Sequence, residues 1–179
     1  MQDSHNGVLV LIDIQGKLAE SVRRGACMIR KIAILVQAAH ILEIPILWCQ
    51  QCPDKLGPTV SELLPLLTDV TPIDKSAFSC WADPTFRSRL NALGRPDVLL
   101  CGIETHVCVF QTARDLVRHG YHVEVAADAV SSRSAFDIRQ GLDRIRSLGA
   151  DITTVEMCLF ELLGSAEHPH FRAIAKLIK

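Results

Sequence analysis

The chain has no apolar run approaching the roughly 18 residues of a membrane span, no block of like charge and no low-complexity stretch. No membrane association is therefore expected. The formal net charge is −1 and the sequence pI about 6.6, so there is no electrostatic case for nucleic acid as a partner. The opening Met-Gln-Asp-Ser-His-Asn lacks the basic-then-apolar pattern of a signal peptide, and a cytoplasmic location is expected. No linker or internal repeat interrupts the 179 residues, 49% of them hydrophobic. That predicts one domain over 1–179, with a core spanning about 7–164 and a C-terminal helix over 169–178. Seven cysteines, an odd number lying mostly in apolar runs (Cys49, Cys101, Cys158), read as reduced and buried thiols.

What is present is an alternation of short apolar runs with helical stripes. Val8–Ile12 is wholly apolar, as a strand buried on both faces of a parallel sheet should be. Further strands are predicted at 46–49, 70–74, 98–101, 121–126 and 151–154. Helices are predicted at 29–42, 60–67, 84–93, from Cys108 to Gly120, and at 134–148, 156–163 and 169–178, with 54–58 as a loop. Asp83 and Pro84 suit the start of one helix and Gly149 the end of another. The pattern predicts a three-layer α/β sandwich of Rossmann-like type. Its six-stranded parallel sheet, in the order 3-2-1-4-5-6, is flanked by helices.

The densest chemistry lies between Asp97 and Ala113. The run Val98–Cys101 ends in Gly102, and Val109, Thr112, Ala113, Leu116 and Val117 then follow a one-faced helical stripe. Cys108 is thereby placed in a first helical turn, where unpaired N–H groups and the positive dipole end favour an anion, and a thiolate is expected. In parallel sheets the ligand site lies beyond the carboxyl ends of the strands, where strand order reverses. Asp13 follows the first strand, Lys75 the third and Cys108 the fourth. They form a candidate set of acid/base, cation and nucleophile. Each has a plainer use, as a helix cap, a solvated lysine or a core thiol, and spacing alone leaves both readings open.

Three segments carry a resemblance: Leu11-Ile-Asp-Ile-Gln15, Asp74-Lys-Ser-Ala-Phe-Ser79 and Gly102-Ile-Glu-Thr-His-Val-Cys-Val-Phe-Gln-Thr-Ala113. In this order they resemble the signature segments of the isochorismatase-like cysteine hydrolases, over roughly residues 7–164. Gln51-Cys-Pro-Asp-Lys-Leu-Gly-Pro-Thr-Val60 and Asp128-Ala-Val-Ser-Ser-Arg-Ser134 are most similar to the isochorismatase-domain-containing branch. The resemblance implies Cys108 as nucleophile, Asp13 as acid/base and Lys75 as orienting cation. It also implies an oxyanion hole from the backbone N–H groups of Glu104 and Cys108, a cis peptide at Ile103–Glu104, and a homodimer or higher homo-oligomer. Gln15, Gln50, Phe78 and Trp81 are expected near a pocket for a small-molecule substrate.

Nicotinamidases of this superfamily hold a metal through an Asp-x-His segment and a second histidine. Here no histidine occurs between His40 and His106, so no metal ligands and no cofactor are expected. Cys49 and Cys52 straddle a strand end and fit neither a zinc site nor a redox motif well. Retention of Cys108 favours acyl transfer from a small amide, ureide or ester. Two alternatives are vinyl-ether hydrolysis by Asp13 without the cysteine and a non-catalytic binding protein on the same fold. His106, two residues from Cys108, is expected to point aside.

Overall fold

The computed structural model describes residues 3–179. Strand β1 (Gly7–Ile12) is buried along its whole length, which requires cover on both sheet faces. Alternation along the strand divides its side chains. Leu9 and Leu11 enter one apolar cluster; Val8, Val10 and Ile12 enter the other. Strand β4 (Asp97–Ile103) divides likewise, Leu99, Cys101 and Ile103 against Val98 and Leu100. The first cluster is closed by helices α2 (Gly25–Ile41), α7 (Val155–Leu163) and α8 (Phe171–Ile178). The second is closed by α4 (Pro84–Leu93), α5 (Phe110–Arg118) and α6 (Ala135–Ser147).

The remaining strands are β2 (Ile46–Gln51), β3 (Ile73–Lys75), β5 (His122–Ser131) and β6 (Asp151–Thr153). All neighbours pair in parallel, in the order β3-β2-β1-β4-β5-β6. The three-layer α/β sandwich and the expected strand order are both found. Chain order reverses between β1 and β4, so the residues leaving those two strands face a common crevice.

Several boundaries differ from expectation for local reasons. The helix predicted over 60–67 is a single 3₁₀ turn, Leu64–Leu66; Pro65 lacks an N–H and disfavours helical backbone at Leu64. The third strand starts only at Ile73, because Pro72 cannot donate to a ladder. Residues 54–58 are not all loop: α3 (Pro53–Leu56) makes one turn and closes on Gly57. The six-residue α1 (Gly16–Ser21) buries only Ala19 and carries no stripe by which periodicity could reveal it. Strand β5 runs to Ser131 rather than Ala126, with a register shift opposite Leu100–Gly102.

Candidate active site

Asp13, Lys75 and Cys108 come together in the crevice, with exposures of 0%, 3% and 7%. Each is delivered by a different strand. Asp13 leaves β1 with φ +54°, in the left-handed region. For a non-glycine residue that costs on the order of 1–3 kcal/mol and persists only where the surroundings dictate it. Its N–H donates to the Cys49 carbonyl (3.1 Å) and its carbonyl accepts from Gln15 N–H (2.8 Å), which fixes the backbone on both sides. Lys75 is the last residue of β3, opposite Gln51 in the register.

Cys108 is delivered by an elbow. Gly102, at φ +120°, allows β4 to close against β1: a Cβ there would lie 2.0 Å from the Ile12 carbonyl oxygen. The Ile103–Glu104 peptide is cis. The chain then enters a π-helical turn, Thr105–Val109, before α5 begins. The Glu104 carbonyl accepts from both Val107 N–H (3.0 Å) and Val109 N–H (3.2 Å). Behind the turn, Gly141 of α6 packs so tightly that a Cβ would meet Thr105 and His106 at 3.0 Å.

The Lys75 ammonium donates to Asp13 Oδ2 (2.8 Å) and Gln51 Oε1 (2.7 Å), and lies 3.2 and 3.3 Å from the Ala77 and Phe78 carbonyls. Asp13 Oδ1 has no donor in hydrogen-bonding geometry, though Cys108 is near enough for the two groups to shift each other's ionisation. Burial raises the Asp13 carboxyl above its ordinary value, only partly offset by the Lys75 charge and hydrogen bond. For Lys75 burial opposes the charge, but the acidic groups around it, Cys80, Asp13 and Cys108, outweigh burial and hold its pKa above normal.

Burial, and after it the Asp13 charge, pushes the Cys108 thiol well up, with Lys75 pulling the other way. Both causes favour the thiol, against the thiolate expected from the helix start. Desolvation and a neighbouring carboxylate oppose the dipole of a helix whose regular part starts two residues later.

The other expected residues fall less uniformly. Gln15 is fully buried and spends its amide on backbone, donating to Gln51 O (3.1 Å) and Gly57 O (2.7 Å) and accepting from Gln51 N–H (2.6 Å). Gln50 donates to Asp74 Oδ1 (3.1 Å) and accepts from the Thr59 N–H and hydroxyl. Neither amide is left free to line a pocket, because both stitch the β1 and β2 ends to the 57–59 loop. Phe78 contributes its carbonyl to Lys75, and the residue as a whole is 55% exposed. Trp81 faces the wrong way, stacking on His119 at 4.3 Å and Tyr121 at 5.7 Å. Those residues follow the far end of α5, roughly 16 Å of helical rise from Cys108.

His106 turns to Ser132 (Nδ1 to Oγ, 3.0 Å), away from any dyad role. Glu104 accepts from the Arg133 guanidinium (Nε, 3.0 Å). Asp128 caps α7 through Val155 N–H (2.8 Å) and pairs with Lys31 (3.4 Å). Cys49 is buried beside Cys80, whereas Cys52 Sγ lies 3.7 Å from the Lys75 carbonyl oxygen. Among the described residues, no group of three or more His, Cys, Asp or Glu is arranged to hold a metal ion. Among the described residues, no helix is long and apolar enough to cross a membrane. Sequence reasoning missed Gln51; the signal that could have found it is the register placing it opposite Lys75.

A six-stranded parallel sheet with this order, and an elbow bringing a cysteine to an Asp–Lys pair, is the isochorismatase-type hydrolase fold. Residues 7–157 match the isochorismatase domain family, and the chain belongs to that family. It is 41% identical to isochorismatase domain-containing protein 2 of Xenopus laevis, over 97% of this chain and 83% of that protein. It is 40% identical to the secreted isochorismatase effector Isc1 of Phytophthora sojae, over 98% of this chain and 85% of that one. Among solved structures, the MAR1 ribonuclease of Caenorhabditis elegans superposes with a TM-score of 0.93 at 38% identity, covering 98% of this chain and 91% of that one.

Proposed function

We propose that the protein is a metal-independent cysteine hydrolase cleaving a small amide, ureide or ester. As Cys108 sulfur attacks the carbonyl carbon, the Asp13 carboxylate takes the thiol proton. The oxyanion is held by the backbone N–H groups of Glu104 and Cys108, donors of a kind worth about 2.7–4 kcal/mol each. Collapse to the thioester expels the amine or alcohol, which receives the proton from Asp13. Water then attacks the thioester, Asp13 removes its proton, and the departing sulfur regains it, leaving the acid and the resting enzyme. Lys75 offsets the charge of Asp13 and of the forming thiolate, which would otherwise repel each other.

The observation that carries this reading is the convergence of a buried thiol with a buried carboxylate whose Oδ1 is free, beside a lysine 2.8 Å from Oδ2. Cys108→Ser and Asp13→Asn variants, assayed over a panel of small amides, ureides and esters, test it. Both are expected to stay folded and lose nearly all turnover; an unaltered rate in either removes the mechanism.

A second reading is vinyl-ether hydrolysis with Asp13 as the acid. The raised Asp13 pKa suits a proton donor, and the Phytophthora relative is named an isochorismatase. Under it, Cys108→Ser keeps activity and Asp13→Asn loses it. RNA belongs on the panel because of the name of the Caenorhabditis structure; a net charge of −1 and a triad at most 7% exposed favour a small substrate. A homo-oligomer is part of the proposal: Phe78, Phe136, Met157 and Phe160 are 42–61% exposed and would be covered by a second copy. Seven unpaired cysteines suit a reducing, cytoplasmic setting.

A further inference from the structure

Gln51 lies outside the Asp–Lys–Cys set, yet it makes the shortest contact to the lysine. Lys75 Nζ has three N–H groups to place. Two go to single acceptors, Asp13 Oδ2 at 2.8 Å and Gln51 Oε1 at 2.7 Å, while the Ala77 and Phe78 carbonyls lie farther off at 3.2 and 3.3 Å. The Gln51 amide has one workable orientation. Its Nε2 donates to the Ser76 carbonyl at 2.7 Å, a group that only accepts, so Oε1 must face the ammonium, which only donates. The Gln51 backbone is in turn clamped at both N–H and C=O by Gln15, whose Nε2 also holds the Gly57 carbonyl. A chain of neutral amides thus runs from the loop after α3 to the buried cation.

We propose that Gln51 is a positioning residue, its neutral amide oxygen opposing Asp13 so that the Lys75 ammonium is held within reach of the Cys108 sulfur. Neutrality is essential to the argument. Asp13 already offsets one unit of charge, and a second carboxylate at 51 would cancel the attraction left for a forming thiolate. An amide oxygen anchors the ammonium without doing so. This inference rests on the proposed role of Cys108 and adds a residue to it.

The test is the pH profile of Cys108 alkylation by iodoacetamide, read by peptide mass spectrometry and therefore independent of any substrate. In Gln51→Met, which removes the acceptor, and in Gln51→Asn, which withdraws it by one methylene, the profile is expected to move to higher pH. At neutral pH the rate should fall about tenfold, the factor given by one unit of displacement. Lys75→Met serves as the control. If wild-type Cys108 is not alkylated, the underlying nucleophile reading falls. If Lys75→Met displaces the profile and both Gln51 variants superimpose on wild type, this inference alone falls. If neither Gln51 variant folds, as judged by circular dichroism, Gln51 is a structural residue and the inference falls as well.

Discussion

Asp13 and Glu104 are carboxylates placed just beyond the ends of adjacent strands, β1 and β4, and each is paired with a cation. Asp13 and Lys75 have side chains 1% and 0% exposed. For Glu104 and Arg133 the figures are 11% and 65%. The inner pair is shut off from solvent and the Lys75 ammonium relies on protein acceptors alone, so burial acts on the ionisation of both groups. The outer pair keeps solvent on the guanidinium and works as a tether, tying the elbow to the end of β5. The same charge pattern is a candidate reaction centre at one depth and a surface contact at another. Burial makes the difference, and burial here follows from Gly102 and the order reversal that brings β1 and β4 together.

The sharpest break of this comparison is Lys75→Met, which leaves the Asp13 carboxylate uncompensated. A loss of roughly 3–5 kcal/mol in chemical denaturation is expected, the usual result of removing one member of a buried pair. The loss should shrink at acid pH, because a carboxyl raised in the folded state costs nothing once protonated and weighs against folding as pH climbs. A uniform loss across pH 4–8 would show that the pair is not what was disturbed.

A smaller effect is expected from raising the pH of the wild type. Burial lifts the Cys101 and Cys108 thiols above their ordinary value of 9.0, so their contribution is intact below about pH 9 and is lost as pH rises toward the folded-state values. The melting temperature should decline from there upward. A flat profile from pH 8 to 11 would contradict the buried, protonated state.

Arg133→Ala should do least, within about 1 kcal/mol, as for exposed pairs in general. A change as large as that of Lys75→Met would erase the distinction between the two sites.

The sheet was legible because its strands are apolar throughout, and a wholly apolar run such as Val8–Ile12 has no other comfortable place. Asp13, Lys75 and Cys108 were legible because strand ends are where parallel sheets present chemistry. What could not be seen was depth and register. Gln15, Gln50 and Gln51 look alike in sequence; only the pairing of β2 with β3 and the path of the 57–59 loop decide that Gln51 meets the lysine while the other two brace the scaffold. Trp81 was misplaced because proximity in sequence to Lys75 says nothing about which way a 3₁₀ turn, Cys80–Ala82, swings its ring. Helix-dipole reasoning favoured a thiolate at Cys108, but it took no account of a side chain only 7% exposed beside Asp13.

The central claim, that Asp13 makes a reactive nucleophile of a buried thiol, is tested most directly by alkylation rates for all seven cysteines near neutral pH, in wild type and in Asp13→Asn. Cys101 is the internal comparison, a thiol raised by burial alone with no acid/base beside it. The account predicts that wild-type Cys108 reacts faster than the other six, including the less buried Cys27 and Cys52, and that Asp13→Asn slows Cys108 toward the rate of Cys101. Labelling that spares Cys108 in the wild type, or leaves its rate unchanged in Asp13→Asn, would contradict it.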